Sequence, residues 1–155
     1  MTTATNAPQP ESRPEGSSEK NARAMRANPP SAFRSLAWGA APSPDLRRYA
    51  GASGGLTLYA PNTPARPVDL FGVPVTSELY HFAFGRFYLG QAFLDGRENF
   101  LAMKSALTTA YGKPSLRNDL AQVYAWQWDD AEVEVRLYYQ ATYDKSTVEF
   151  RSGRF

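Results

Sequence analysis

The sequence predicts an α+β domain: a twisted antiparallel sheet, made of a hairpin and a three-stranded meander, with one main helix packed on one face. Strand-like patterns at 78–94 and 122–151 flank a single amphipathic stretch at 97–111. All nine phenylalanines, nine tyrosines and three tryptophans lie after residue 30. We therefore expect one folded domain over residues 31–155.

Residues 1–30 differ from the rest in composition, with no aromatic residue, no Val, Leu or Ile, and five of the 12 prolines. A segment without large apolar side chains cannot offset the entropy lost on ordering, so we predict a disordered N-terminal arm. Residues 17–27 also carry helix signals and could fold on a partner. The residues that would make this contact are Ala22, Arg23, Met25 and Arg26.

The first elements of the domain are predicted from short signals. Residues 33–39 favour an opening strand, and Ser43-Pro44 is typical of a helix start, which predicts a short helix over 43–49. The remaining elements of this part are a glycine-rich connection at 51–55, a strand at 56–60, a proline loop at 61–67 and an edge strand at 68–75.

The strongest local signal is a hairpin of 78–84 and 87–94 around Gly85-Arg86, which suits a type II′ turn. Its register pairs Phe84 with Phe87. The face expected in the core is Tyr80, Phe82, Phe84, Phe87, Leu89 and Phe93. The opposite face is Leu79, His81, Ala83, Tyr88, Gly90, Ala92 and Leu94. Because both faces are fairly apolar, we expect this hairpin to be covered on both sides.

The main helix is expected to begin with an Asp95/Glu98 capping box and to end at Gly112. Its apolar stripe is Phe100, Met103, Leu107, Ala110 and Tyr111. The strands of the meander are predicted at 122–128, 132–140 and 147–151. Their inward side chains are Tyr124, Trp126, Trp128, Val133, Val135, Leu137, Tyr139, Val148 and Phe150.

Composition excludes several kinds of site. The absence of cysteine removes disulfides and thiolate chemistry, and the single histidine, His81, excludes a histidine-rich metal site. A net charge of +2 without a Lys/Arg stripe predicts no nucleic-acid partner. No apolar run reaches a membrane span and no secretory signal is apparent, so we expect a cytoplasmic location. We predict no catalytic, cofactor-binding or metal-binding residues, and no cofactor.

Four local features are explained by structure more simply than by function. We expect His81 to be a packed residue, bonded to a backbone or tyrosine group. The acidic cluster at 129–134 lacks the glycine bend of a calcium loop, and Arg136 can neutralise it. The glycines at 51–55 match no phosphate-binding loop. The strand aromatics lack neighbouring basic residues, so core packing is favoured over base stacking.

A basic group outside the arm consists of Arg34, Arg47, Arg48 and Arg66. These side chains would line an anion or partner site if 43–49 and 61–67 converge, and scattered surface charge is the alternative. Arg47 and Arg48 therefore join the arm residues as candidates for partner contact.

Several loose motifs follow one another along the chain. They are Phe33-Arg34-x-Leu36-x-Trp38-Gly39, Tyr80-x-Phe82, Lys104-x-x-Leu107-x-x-x-Tyr111-Gly112-x-Pro114, a tryptophan strand and a final meander. Over 33–152 this order resembles small uncharacterised bacterial α+β domains, some of them exported or lipoprotein-like. The resemblance implies a bacterial source and no known activity, and it leaves the cell envelope as an alternative to the cytoplasm. This sequence departs from lipoprotein-like members because it has no cysteine to carry a lipid.

Together these observations predict a non-enzymatic protein-binding or assembly module whose N-terminal arm docks on a protein partner, or on another copy of the chain. The alternative is a carrier of a small apolar ligand or lipid, with a pocket between helix 97–111 and the sheet.

Overall fold

The computed structural model describes residues 27–50, 54–62 and 68–154. The strands, in chain order, are β1 (Ala32–Phe33), β2 (Leu36–Ala37), β3 (Leu46–Ala50), β4 (Leu56–Pro61), β5 (Val68–Leu70), β6 (Val73–Val75), β7 (Ser77–Ala83), β8 (Arg86–Asp95), β9 (Leu116–Asn118), β10 (Val123–Trp128), β11 (Val133–Gln140) and β12 (Lys145–Ser152). The helix α1 spans Arg97–Tyr111, and a 3-10 turn spans Asp129–Ala131.

Eight strands form one antiparallel sheet in the order β3-β4-β7-β8-β12-β11-β10-β9. The α+β class and the antiparallel sheet are thus confirmed. The sheet is larger than a hairpin plus a meander, because β3 and β4 extend one edge and β9 the other. Strand β12 pairs with β8 and joins the predicted hairpin to the predicted meander.

The core lies between one face of this sheet and a layer made of α1 and two small hairpins, β1-β2 and β5-β6. The helix contributes its predicted stripe, with Phe100, Met103 and Leu107 buried. Phe33 enters from β1, and its ring centroid lies 5.4 Å from that of Tyr80.

The prediction of a helix over 43–49 is wrong. The Ser43 hydroxyl donates to the Asp45 carboxylate instead of capping a helix, and residues 46–50 form β3. A seven-residue helix satisfies few of its own backbone groups, whereas pairing with β4 satisfies them along the strand.

The opening strand and the predicted edge strand at 68–75 are each a short hairpin instead. Arg34 adopts a positive φ of 58° between β1 and β2. Phe71 and Gly72, with φ of 54° and 80°, turn the chain between β5 and β6. Both hairpins lie outside the main sheet and cover its core face.

The turn of the central hairpin is also shifted by one residue. Phe84 and Gly85 are its two central residues, with φ of 51° and 80°, and Ala83 pairs with Arg86. Two successive positive φ values are the mark of a type I′ turn, which replaces the predicted type II′ turn; both types match the twist of the flanking strands. Phe84 therefore leaves the expected core face and is 82 % exposed.

A β-bulge then reverses which residues of β8 face the core. Phe82 pairs with Phe87 and His81 with Leu89, so Tyr88 is an extra residue in β8. Beyond it the inward residues are Gly90, Ala92 and Leu94. The prediction that Leu89 and Phe93 join the core face is therefore wrong, because strict alternation fails at the extra residue.

The helix has its predicted bounds but not its predicted cap. Asp95 accepts a hydrogen bond from Lys145 Nζ at 2.6 Å, and no side chain caps the helix. The Gly96 carbonyl receives the Phe100 N–H at 3.2 Å. At the other end Gly112 has a φ of 87° and its N–H reaches the Thr108 carbonyl, which confirms the predicted glycine stop.

The meander is confirmed with its predicted faces. The buried inward residues are Tyr124, Trp126, Val133, Val135, Leu137, Val148 and Phe150, while Trp128 and Tyr139 are partly buried against the core. Strand β9, which the sequence did not predict, pairs with β10.

We expect Gly90→Ala to lower the free energy of unfolding by about 1–3 kcal/mol. A Cβ at position 90 would lie 2.9 Å from Phe33 Cβ and would overlap the ring. Phe33 is 1 % exposed and packs against Tyr80 and Phe150, so it cannot move aside easily. Urea denaturation measures the loss.

Gly153→Ala is the matched control, because its Cβ would meet the Glu132 carbonyl at an ordinary 3.5 Å. In a Phe33→Ala background, Gly90→Ala should cost much less. Equal costs in both backgrounds would contradict the contact.

Candidate functional site

A cleft of about 490 Å³ opens where β7 begins, between the β3-β4 pair and the two small hairpins. Its lining combines hydroxyls, carboxylates, two guanidinium groups and several rings. The residues that form it are Arg34, Ser35, Asp45, Leu46, Arg47, Tyr49, Ala60, Pro61, Asp69, Val75, Thr76, Ser77, Glu78, Leu79, Tyr80 and Phe93.

The cleft exists because β4 separates from β7. Residues 56–59 of β4 pair with residues 80–83 of β7, and Ala60 and Pro61 pair only with β3. Pro61 has no N–H to continue the ladder. Residues 77–79 of β7 therefore pair with β8 on one side and face the cleft on the other.

A hydrogen-bonded ion pair forms the floor of the cleft. Glu78 is 7 % exposed, and its Oε2 accepts hydrogen bonds from Arg34 Nε at 2.8 Å and from Arg34 Nη2. Tyr80 donates its hydroxyl to Glu78 Oε1 at 3.0 Å. Arg34 Nη1 also donates to the Asp69 carbonyl at 2.6 Å, which ties β1-β2 and β5-β6 to β7.

This environment holds Tyr80 in its protonated form. Burial raises the pKa of Tyr80 above its ordinary value, and the neighbouring Glu78 carboxylate raises that pKa further. At neutral pH the hydroxyl is therefore a permanent donor to Glu78.

The charged side chains at the rim of the cleft are less completely paired than those in its floor. Within the part of the chain that the structure describes, neither Arg47 nor the Asp69 carboxylate makes an ion pair. Asp45 accepts a hydrogen bond from the neutral Ser43 hydroxyl. With Arg34 and Glu78 neutralising one another, the described rim carries one positive and two negative charges.

The structure brings some of the predicted partner-binding residues to this cleft. Of the basic group, Arg34 and Arg47 both line it, and Arg34 is paired with Glu78. Arg48 is exposed on β3 but is not part of the lining. The other candidates lie outside the described residues: Ala22, Arg23, Met25, Arg26 and Arg66.

His81 lies on the sheet face opposite α1. Its Nε2 is 2.6 Å from Gln91 Oε1, and Gln91 donates to Glu149 at 2.7 Å. Burial lowers the pKa of His81. The histidine is packed as predicted, although its partner is an amide side chain rather than a backbone or tyrosine group.

In the acidic cluster at 129–134, the predicted neutralisation by Arg136 occurs at Glu134, and Glu132 has a different basic neighbour. Glu134 pairs with Arg136 at 3.2 Å and accepts a hydrogen bond from Gln127 at 2.7 Å. Glu132 lies 3.8 Å from Arg154. In the described ranges, no group of three or more His, Asp or Glu side chains is placed to hold a metal ion.

Sequence reasoning missed Glu78 as a floor residue. The signal was its position: Glu78 shares strand parity with Tyr80 and Phe82, so it had to face the core. Its partner Arg34 is 44 residues away, and no local pattern links the two.

The cleft is not where the carrier alternative places a pocket. No residue of α1 lines it, and the apolar stripe of the helix is buried against the sheet. No helix in the described part of the chain has the length and apolarity needed to cross a bilayer.

Comparison with known proteins identifies no relative of the chain. No protein family, no curated protein and no solved structure matches the chain. The resemblance to small bacterial α+β domains therefore stays a prediction.

We expect Tyr80→Phe to lower the free energy of unfolding by about 1.5–3 kcal/mol at pH 7, since Glu78 loses a charge-assisted hydrogen bond. The raised pKa means that the protonated Tyr80 stabilises the fold fully below pH about 10. That contribution is lost as pH rises above this value. The difference between wild type and Tyr80→Phe should therefore stay constant up to pH about 10 and shrink between pH about 10 and about 11.

Urea denaturation across this pH range measures the difference. Tyr143→Phe is the control, because Tyr143 is 69 % exposed and its substitution should change the free energy of unfolding little. A flat Tyr80→Phe difference would contradict the coupling between Tyr80 and Glu78.

Proposed function

We propose that the protein is a non-enzymatic protein-binding or assembly module whose N-terminal arm, residues 1–30, docks on a protein partner. One observation carries the proposal: the domain holds the base of the arm. Trp128 Nε1 donates to the Ala27 carbonyl at 2.9 Å, and Trp38 Nε1 donates to the Pro30 carbonyl at 2.9 Å.

Both tryptophans are themselves fixed in the domain. Trp128 ends β10 and packs edge-on against Tyr111, with ring centroids 5.2 Å apart. Trp38 stacks on the buried Phe87 at 5.2 Å. The point where the arm leaves the domain is therefore set beside the C-terminal end of α1.

The attachment of Ala27 and Pro30 to the domain supports docking of the polar arm on a partner. The arm has four basic and three acidic residues and no large aliphatic or aromatic side chain, so it gains little by packing on its own domain. A segment tethered at a defined place meets a bound partner at high effective concentration, so weak contacts suffice. The candidate contacts are Ala22, Arg23, Met25 and Arg26, with Arg47 and Arg48 on the domain.

Deletion of residues 1–26 tests the proposal. Because Ala27 and Pro30 remain, we expect the free energy of unfolding to change by less than about 0.5 kcal/mol. Co-purification of the partner with the tagged chain from its native cells should be abolished. Urea denaturation and quantitative affinity purification measure the two effects.

Two variants serve as controls in the same purification. Arg23→Glu with Arg26→Glu should weaken recovery of the partner, whereas the exposed Arg117→Gln should not. Equal recovery of the same partner by the full chain and by the shortened chain would overturn the proposal.

A further inference from the structure

We propose that the cleft at the start of β7 receives an extended segment of the partner protein, which adds as a strand to residues 77–79 and places a basic side chain near Asp45 and Asp69. This inference rests on the proposed function, since it gives the protein-binding module a second contact. It assigns both the binding mode and the chemistry of the bound segment.

Residues 77–79 of β7 offer a strand edge to the partner segment. In an antiparallel ladder, successive residues direct their N–H and C=O groups alternately to the two neighbouring strands. Residues 77–79 pair with β8 on one side, so at least one residue of the three directs its backbone groups into the cleft. An open edge of this kind pairs readily with an added strand.

The size of the cleft fits such a segment. An extended chain advances about 3.3 Å per residue, so three residues of β7 offer an edge about 10 Å long. A volume of about 490 Å³ lies within the range of ordinary ligand pockets. The aromatic rings of Tyr49, Tyr80 and Phe93 supply apolar walls for alternate side chains of the segment.

The charge pattern selects a basic side chain. Glu78 is neutralised by Arg34 in the floor, which leaves Asp45 and Asp69 against Arg47 among the described residues of the rim. Two carboxylates and one guanidinium attract a lysine or arginine more than an acidic residue. Arg47 repels a second basic residue at its own side and so favours one orientation of the segment.

The cleft is held in shape before anything binds. Arg34 joins β1-β2 to Glu78 of β7 and to the Asp69 carbonyl of β5. The Asn62 N–H binds the Asp45 carbonyl at 2.8 Å, which fixes the β3 side of the rim. A preformed site avoids part of the entropy cost of ordering on binding.

Selection of random heptapeptides on immobilised full-length protein tests the inference. We expect enrichment of peptides with one Lys or Arg among β-branched residues. Their dissociation constants, measured by fluorescence anisotropy, should rise about fivefold in the Asp45→Asn, Asp69→Asn double variant. The Asp129→Asn, Asp130→Asn double variant is the charge-matched control and should bind normally, because both carboxylates are exposed and neither lines the cleft.

Backbone chemistry of the probe distinguishes strand addition from side-chain binding. N-methylation at alternate positions of a selected peptide should weaken binding at least about tenfold in one set and little in the other. Ser77→Trp, which fills the cleft, should abolish binding without unfolding the protein, as checked by thermal denaturation. Insensitivity to N-methylation, unchanged binding by Ser77→Trp, or no peptide enriched over that variant would each overturn the inference.

The proposed arm contact and the proposed cleft contact can each be rejected without rejecting the other. The chain lacking residues 1–26 should bind the selected peptides as the full chain does. Loss of peptide binding in Ser77→Trp with unchanged partner recovery by the shortened chain would retain the cleft and reject the arm. The opposite pair of results would retain the arm and reject the cleft.

Discussion

The extra residue in β8 determines much of the rest of the structure. Because Tyr88 is bulged, Gly90 rather than Leu89 faces the core, and the missing side chain leaves room for Phe33. With Phe33 seated there, the turn of β1-β2 brings Arg34 over Glu78. A regular β8 would place a leucine side chain toward Phe33, and the floor of the cleft would lose its cation.

The ion pair between Arg34 and Glu78 contributes more to the geometry of the cleft than to the stability of the fold. Burying two charges costs much of what their attraction returns, so an apolar pair of similar volume would stabilise the fold equally well. Arg34 nevertheless contacts two segments, Glu78 of β7 and the Asp69 carbonyl of β5. The pair therefore holds three elements around an open strand edge, which an apolar contact of undefined geometry would do less well.

Features that depend on a pattern within one element were predicted correctly from the sequence, whereas features that depend on pairing between separate segments were not. The α1 stripe and the alternation of β11 were predicted correctly, because each pattern repeats within one element. The prediction of a helix over 43–49 was wrong because residues 46–50 pair with β4, and this pairing overrides the local helix signal of Ser43-Pro44. The core face of β8 was missed because one inserted residue reverses every later side chain, and the sequence does not mark the insertion. The cleft could not be predicted from local pattern, since its floor joins residues 44 positions apart.

The polar groups of the sheet differ in how completely they are paired, and this difference bears on the proposed partner contact. Opposite α1, polar side chains satisfy one another in rows across the strands: His81 with Gln91 and Glu149, and Gln127 with Glu134 and Arg136. A face whose polar groups are already paired gains little from a partner, because each new contact must first break an existing one. At the cleft, by contrast, Arg47 and the Asp69 carboxylate make no ion pair with any other described residue. Binding at the cleft need not break an existing ion pair of these two groups, which supports the proposed docking edge at the start of β7 over the broad polar face.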